Sequence, residues 1–248
     1  MGFLSKLFGN KEDNSMPFNP IQVDMHSHLF PGIDDGVENY EESLAVIRSL
    51  HDLGYKKFIV TPHIMSDFYK NTPEVIHEKC EELRVLLKEN EIDVAIEAAA
   101  EYYLDEEFEK KIASKGLMSF GKNYVLVETN YMNPMHNFRE TMFNLKIAGY
   151  NPILAHPERY IYMYGEGFEK YEELYDLGIL FQVNISSLIG YYSNEAKSIA
   201  EKLIKNKMVH FIGTDIHGVK HIKPIVDAMR TKIYQSIPEL ELLNNSLL

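Results

Sequence analysis

The chain holds a single cysteine among 248 residues. That count excludes a disulfide framework and a thiolate zinc site, and it suits a reducing, cytoplasmic compartment. The lone thiol, Cys80, has Ile76, Leu83 and Leu87 around it at helical spacing, so it reads as one face of a packed helix rather than a reactive group. Long apolar runs are missing too: none approaches the roughly 18 residues that a membrane span requires. Positive charge is scarce, with 25 Lys and Arg against 37 Asp and Glu, and a net charge of -12 leaves no footprint for a nucleic-acid backbone. No internal repeat or low-complexity block stands out.

Residues 1–20 differ from the rest, an apolar-basic MGFLSKLF followed by the polar GNKEDNSMPFNP. The stretch is too short and too weakly apolar for a secretory signal. Lys6 stands where a myristoylation site wants Ser or Thr. A flexible tail is expected, with peripheral docking on a partner or a membrane surface as its functional alternative. Residues 21–248 read as one domain.

Seven short apolar, β-branched runs each close on a residue that can hold a metal ion or a phosphate: 21–28, 58–63, 93–101, 124–129, 152–159, 180–184 and 209–217. Between and after them, helical periodicity marks 38–53, 73–90, 105–114, 138–148, 168–177, 194–206 and a last stretch near 222–234. Regular strand–helix alternation implies a parallel sheet, and helices long enough to cross over on one side close it most naturally into a barrel. Seven units are one short of the usual eight. The expected fold is therefore α/β, a distorted (β/α)7 TIM-like barrel in a single domain, with its site where the C-terminal strand ends converge.

Those ends carry the chemistry. His26 and His28 are one residue apart on an expected strand, where side chains alternate, so both imidazoles project the same way. Asp215 and His217 repeat that spacing, Asp35 lies in the loop after the first pair, and His63, Glu101, Glu128 and His156 end or follow other strands. A hydrogen-bonded polar group explains any one of them. Nine at the same ends of successive strands argue for a metal centre. Four carboxylates and five imidazoles exceed what one four- to six-coordinate ion can use, so two or three divalent ions are expected. Mixed His and carboxylate ligation suits Mn, Fe or Zn, and such a cluster would acidify a bridging water and attract phosphate.

The ordered set His26-x-His28, Asp35, Pro62-His63, Glu101, Glu128, His156-Pro157 and Asp215-x-His217 resembles the polymerase and histidinol phosphatase superfamily. Within it, DMHSHLFPGIDDG, TPH, AEYY and AHPERY look like the bacterial manganese-dependent tyrosine phosphatases of capsule and exopolysaccharide operons. The resemblance spans about residues 21 to 220. It implies a distorted seven-stranded barrel, up to three metals with manganese foremost, and hydrolysis of phosphotyrosine on the tyrosine-rich tail of a polysaccharide-assembly kinase by a metal-activated hydroxide. It also implies that the nine residues are the ligands.

Arg159 matches an arginine that the family places beside the metals, where a guanidinium can bind phosphate oxygens and stabilise transition-state charge. Arg159, Asp215, His217 and His63 form the expected catalytic group. Where the family commonly carries a second arginine this chain reads Gly218-Val219-Lys220-His221, so Lys220 or His221 is the expected stand-in. His136, in the loop after Glu128, is a further candidate substrate contact, and Tyr102, Tyr103, Tyr131, Tyr160, Tyr162 and Tyr164 are candidates to stack on a phosphotyrosine ring. His51, His77 and His210 read as packing or surface. A histidinol-phosphatase-like small-molecule phosphoesterase and a non-catalytic metal-binding regulatory module are the competing readings. A cysteine-dependent phosphatase is not, because position six after Cys80 is Leu86 and no Cys-x5-Arg loop exists.

Overall fold

The computed structural model describes residues 17–165 and 167–248. The expectations for residues 1–16 lie outside these. Among the described residues, nine parallel-paired strand segments alternate with helices. They are β1 (Val23–Asp24), β2 (Lys57–Val60), β3 (His63–Ile64), β4 (Ala95–Ala98), β5 (Glu101–Tyr103), β6 (Tyr124–Glu128), β7 (Asn151–Ala155), β8 (Leu180–Asn184) and β9 (Phe211–Gly213). The helices are α1 (Tyr40–Asp52), α2 (Pro73–Glu89), α3 (Glu106–Ser114), α4 (Phe138–Ile147), α5 (Glu169–Asp176), α6 (Asn194–Lys205), α7 (Ile222–Met229) and the single turn α8 (Lys232–Gln235).

Local sequence sets the helix starts. Asn39, Thr72, Asp105 and Ser193 each cap a helix by accepting from a backbone N–H in its first turn. The stretch expected as one helix near 222–234 is two, because Thr231 turns extended and caps α8 through the Tyr234 N–H.

The strands follow period two. In β6, Tyr124 and Leu126 belong to a small cluster inside the ring with Val23, Ile59, Ile153 and Phe211, while Val125 and Val127 join the larger layer under the helices. Two expected strands are interrupted, 58–63 and 93–101, the second of which divides into β4 and β5. Pro62 has no N–H for a ladder, so 58–63 divides into β2, paired with β1 and β4, and β3, paired with β5. Hydrogen bonds from Ala99 N to Val60 O (2.9 Å) and Glu101 N to Pro62 O (3.1 Å) carry the alignment across the break. His63 consequently pairs with Glu101, side by side at the same end of the sheet.

The ladders run β1-β2-β4 and β3-β5-β6-β7-β8-β9. Between β9 and β1 the ring is joined by one parallel bridge, Ser27 to Ile216, rather than by a ladder. Asp215 N to His26 O (2.8 Å) and His28 N to Ile216 O (3.0 Å) complete that seam at the site end. At the other end Asn244 takes the place of a strand residue: its amide donates to Val23 O (2.9 Å) and Ile212 O (2.8 Å) and accepts from Ile212 N (3.0 Å). The distorted seven-unit barrel is thus present, with a seam held by one bridge, its flanking backbone hydrogen bonds and the Asn244 side chain. Strands β1 and β9 stop earlier than expected, at Asp24 and Gly213, and His26, His28, Asp215 and His217 stand on the irregular backbone beyond them.

Candidate metal centre

Glycine permits the close approach that builds this mouth. A Cβ on Gly213 would sit 2.8 Å from the His26 Cβ, and one on Gly36 would sit 2.3 Å from the His28 carbonyl oxygen. Two site residues hold left-handed backbone without being glycine, His156 at φ 35° and Asp215 at φ 51°. Such conformations cost free energy and persist where the surroundings enforce them, often at functional sites. Asp215 follows β9 directly, and its carboxylate faces the His26 and His28 nitrogens with one oxygen and Arg159 and Asn184 with the other.

The nine expected residues do come together. His26 Nε2 and His28 Nε2 are 3.3 Å apart. Glu101 Oε2 lies 3.1 and 3.4 Å from those nitrogens, and Asp215 Oδ1 lies 3.3 and 3.4 Å from them. Donors about 2.1 Å from one ion in a tetrahedron are about 3.4 Å from each other. The spacing of these four donors therefore fits a single ion. A second group joins His63 Nδ1 to Glu101 Oε2 (3.2 Å) and Glu128 Oε1 (3.1 Å), with His156 Nε2 at 3.1 Å from Glu101 Oε1. A third brings Asp35 Oδ1 within 3.4 Å of both His63 Nε2 and His217 Nε2. Four sets of three or four donors lie within 4.8 Å of one another, and His26, His28, His63 and Glu101 each belong to more than one.

Charge supports the same reading. Burial opposes a proton on His26, but Glu101 and Asp215 override it and raise its basicity. For His63 burial likewise opposes charge, while Glu101 and Glu128 carry it up to about 9. Asp35, despite partial burial, is brought down to about 2 by its bond with His217. The carboxylates demand positive charge in a buried place, and divalent ions would take over from the imidazole protons.

Four neighbours that the sequence did not announce fix this set. Asp34, not Asp35, holds His28: its Oδ2 lies 2.7 Å from Nδ1 and accepts from His63 N at 3.1 Å. Gln182 Oε1 lies 2.8 Å from His26 Nδ1 and accepts from His156 N at 3.3 Å. Asn184 Nδ2 donates to Asp215 Oδ2 at 2.7 Å. Tyr192 places its ring 4.1 Å from the Arg159 guanidinium carbon. A carboxylate or amide on the far nitrogen of an imidazole orients it for a metal. Period two along β8 could have flagged Gln182 and Asn184 as inward, but neither is a usual metal ligand.

The donors open on a cavity of about 360 Å³ lined by Tyr131, Arg159, Tyr192, Lys220 and His221 beside the candidate ligands. Arg159 is clamped between Tyr131 (4.8 Å) and Tyr192 and donates to Asp215 Oδ2 at 2.9 Å. His221 is neutral, since burial and then the charges of His217 and Lys220 push it down to about 4. Its Nδ1 accepts from His217 N at 3.0 Å, which leaves the proton on Nε2. His136 is not brought to this cavity. The loop after β6 carries it past Pro134 into a separate depression with Met135, Phe138 and Tyr162. Of the tyrosines expected to stack on substrate, Tyr131 alone lines the cavity; Tyr102 and Tyr160 are buried in the layer under the helices. Cys80 is buried in the hydrophobic layer under the helices and does not line the cavity, with burial raising its thiol. His210 packs against Tyr175.

A (β/α) barrel whose strand ends gather imidazoles and carboxylates into interlocking donor groups defines a barrel metalloenzyme. The chain belongs to the capsular polysaccharide synthesis CpsB/CapC family, whose sequence pattern matches residues 22–242. It is similar to the tyrosine-protein phosphatase YwqE of Bacillus subtilis, 29% identical over 80% of this chain and 78% of that one. It is 26% identical to the tyrosine-protein phosphatase CpsB of Streptococcus pneumoniae over 82% and 85% of the two chains. A crystal structure from work on YwqE and CpsB, described as metal-dependent tyrosine phosphatases, superposes with a TM-score of 0.79 at 25% identity, covering 91% of this chain and 94% of that one. The phosphotriesterase homology protein of Escherichia coli, at 12% identity and TM-score 0.50 over 90% and 93%, shares the fold alone. Among the described residues no helix is long and apolar enough to cross a membrane.

Proposed function

We propose that this protein is a metal-dependent protein tyrosine phosphatase acting on a tyrosine-phosphorylated protein of capsule or exopolysaccharide assembly, the tail of a polysaccharide-assembly kinase being the foremost substrate. The observation that carries the reading is the meeting of nine donors from separate segments, six of which line one cavity with a clamped guanidinium on its wall. His26, His28, Glu101 and Asp215 would hold one ion, His63, Glu101, Glu128 and His156 a second, and Asp35, His63 and His217 a third. Two or three divalent ions, manganese first, would supply an acidified water and a positive field for phosphoryl oxygens.

The remaining chemistry belongs to the side chains. Arg159 lines the cavity and is held by two rings and one carboxylate, so its remaining N–H groups would serve as a fork for phosphate oxygens. His221 offers an Nε2–H as a neutral donor, and Lys220, exposed at the rim, adds charge to draw in a dianion. Tyr131, on the cavity wall, would give the phenol of the substrate an aromatic ring to pack against.

The test is elemental analysis of the purified protein together with turnover of a phosphotyrosine peptide, a phosphoserine peptide and histidinol phosphate before and after exhaustive chelation. Metal-dependent hydrolysis favouring the phosphotyrosine peptide is expected. A tenfold preference for histidinol phosphate, or full activity without metal, overturns the proposal.

A further inference from the structure

A second hollow, about 630 Å³, runs outward from the metal cavity and shares Tyr131, Arg159 and Tyr192 with it. Its far wall is Ile161, Tyr164 and Tyr191. Large apolar side chains at a surface are costly to leave to water, yet Ile161 is 49% and Tyr191 44% exposed. Tyr164 is fixed in place by its hydroxyl, which donates to Glu158 O at 2.8 Å, so the wall is formed in advance. The charged groups of the hollow are two. Arg159 is already paired with Asp215, and Glu195 stands exposed at the edge.

We infer that this hollow is a peptide subsite, which takes the residue flanking the phosphotyrosine on one side and selects an apolar or aromatic side chain with a basic residue next to it. The inference rests on the phosphatase reading above and deepens it. Continuity carries the argument: a phosphoryl group at the ions and Arg159 puts the phenol ring against Tyr131 and Tyr192, and the chain leaving that ring enters the hollow that the same two tyrosines border. Aromatic walls accept flat or branched apolar groups at low ordering cost. The carboxylate of Glu195 repels acidic neighbours and attracts lysine or arginine. A small aryl phosphate has nothing to place there.

Ile161→Asp and Glu195→Lys separate the subsite from the chemistry, because neither position lines the metal cavity and both are exposed. Two peptide series around one phosphotyrosine, varying the residue before it and the residue after it among Phe, Lys and Asp, would be compared with p-nitrophenyl phosphate on the manganese-loaded enzyme. Binding of the matching non-hydrolysable phosphonate peptides would be followed by fluorescence anisotropy. Ile161→Asp should lower kcat/KM for the Phe peptide of one series about tenfold, through KM and with a matching weakening of phosphonate binding, while p-nitrophenyl phosphate stays within about twofold. Glu195→Lys should invert the preference between Lys and Asp peptides. Equal turnover of every peptide by the parent, or parallel loss on peptide and p-nitrophenyl phosphate in Ile161→Asp, overturns the subsite and leaves the phosphatase intact. Failure of the parent on every phosphotyrosine substrate and on p-nitrophenyl phosphate overturns both.

Discussion

Asp34 Oδ2 lies 2.7 Å from His28 Nδ1 and accepts from the His63 backbone N–H at 3.1 Å, so one carboxylate ties the His28 ring to the backbone of a second strand end. It leaves His28 Nε2 facing the donors. Its neighbour Asp35 is 54% exposed in its side chain and instead faces His63 and His217. Adjacent acids in one loop therefore have different work, orientation for Asp34 and candidate ligation for Asp35. Asp34→Ala should weaken manganese affinity about 10- to 100-fold, the range for removing a partner of a ligating imidazole. Titration against a competing chelator measures it, and unchanged affinity would show that His28 needs no brace.

Asp215 is divided between two tasks. Its Oδ1 faces the His26 and His28 nitrogens, and its Oδ2 accepts from Arg159 and Asn184. Asp215→Asn keeps a side chain that tolerates the left-handed backbone at this position, so folding should survive. Loss of the charge should lower kcat on an aryl phosphate at least about a hundredfold. His63→Ala, which removes the imidazole shared by two donor groups, should do the same. Single-turnover assays at saturating manganese distinguish lost chemistry from lost metal, and near-parent rates in either variant would remove it from the catalytic group.

Much of this centre was legible in the sequence because its donors are residue types that water-exposed loops rarely place at the end of seven successive apolar runs. The helices were legible for a similar reason: their apolar positions recur at three and four residues and capping side chains mark their starts. What stayed hidden was the material between. Gln182, Asn184 and Tyr192 act through contacts with residues far along the chain, and no spacing rule marks a glutamine as the partner of His26. His136 was misplaced because sequence shows that a loop follows β6 but not which way it turns. The breaks at Pro62 and Gly213 were missed because β propensity runs on through them, while the proline and the left-handed Asp215 end the ladder.

Arg159 is held by stacking as much as by charge. Its guanidinium lies between the rings of Tyr131 and Tyr192 at 4.8 and 4.1 Å. A lysine keeps the charge but has neither the plane to stack nor the fork to bind two oxygens. Arg159→Lys should therefore lose most of the activity that Arg159→Ala loses, about tenfold or more in kcat/KM on a phosphotyrosine peptide. Retention of parent kcat/KM in the lysine variant would reduce the residue to a point charge.

Asn244 closes the barrel where β1 and β9 have no ladder. Three hydrogen bonds join its amide to Val23 and Ile212, all buried. Asn244→Ala would strand two carbonyls and one N–H, each costing about 1–3 kcal/mol when left unsatisfied. The urea midpoint should fall by an amount equivalent to about 3 kcal/mol or more, with kcat of the folded fraction nearly unchanged because the site is at the opposite end. A midpoint within error of the parent would mean that water or a shifted backbone replaces the amide.

His210 gives the fold an acid-sensitive point away from the metal donors. Its Nδ1 accepts from Phe181 N at 3.1 Å, its ring stacks on Tyr175, and burial pushes it down from the usual 6.5 to about 4. The folded state thus keeps it neutral while the unfolded chain protonates it below about 6.5. Between those values the unfolded state binds more protons, so the contribution is fully present above pH 6.5 and is lost as pH falls toward 4. At pH 5 the loss is about 2 kcal/mol relative to neutral pH. His210→Gln retains an acceptor for the Phe181 N–H and cannot take a proton. Urea unfolding of chelated parent and variant at pH 7.5 and pH 5 isolates the effect, because every other titrating group is common to both. The stability difference should move in favour of the variant by about 2 kcal/mol on acidification, and parallel curves at the two pH values would show that the ring finds water or an acid when it becomes charged.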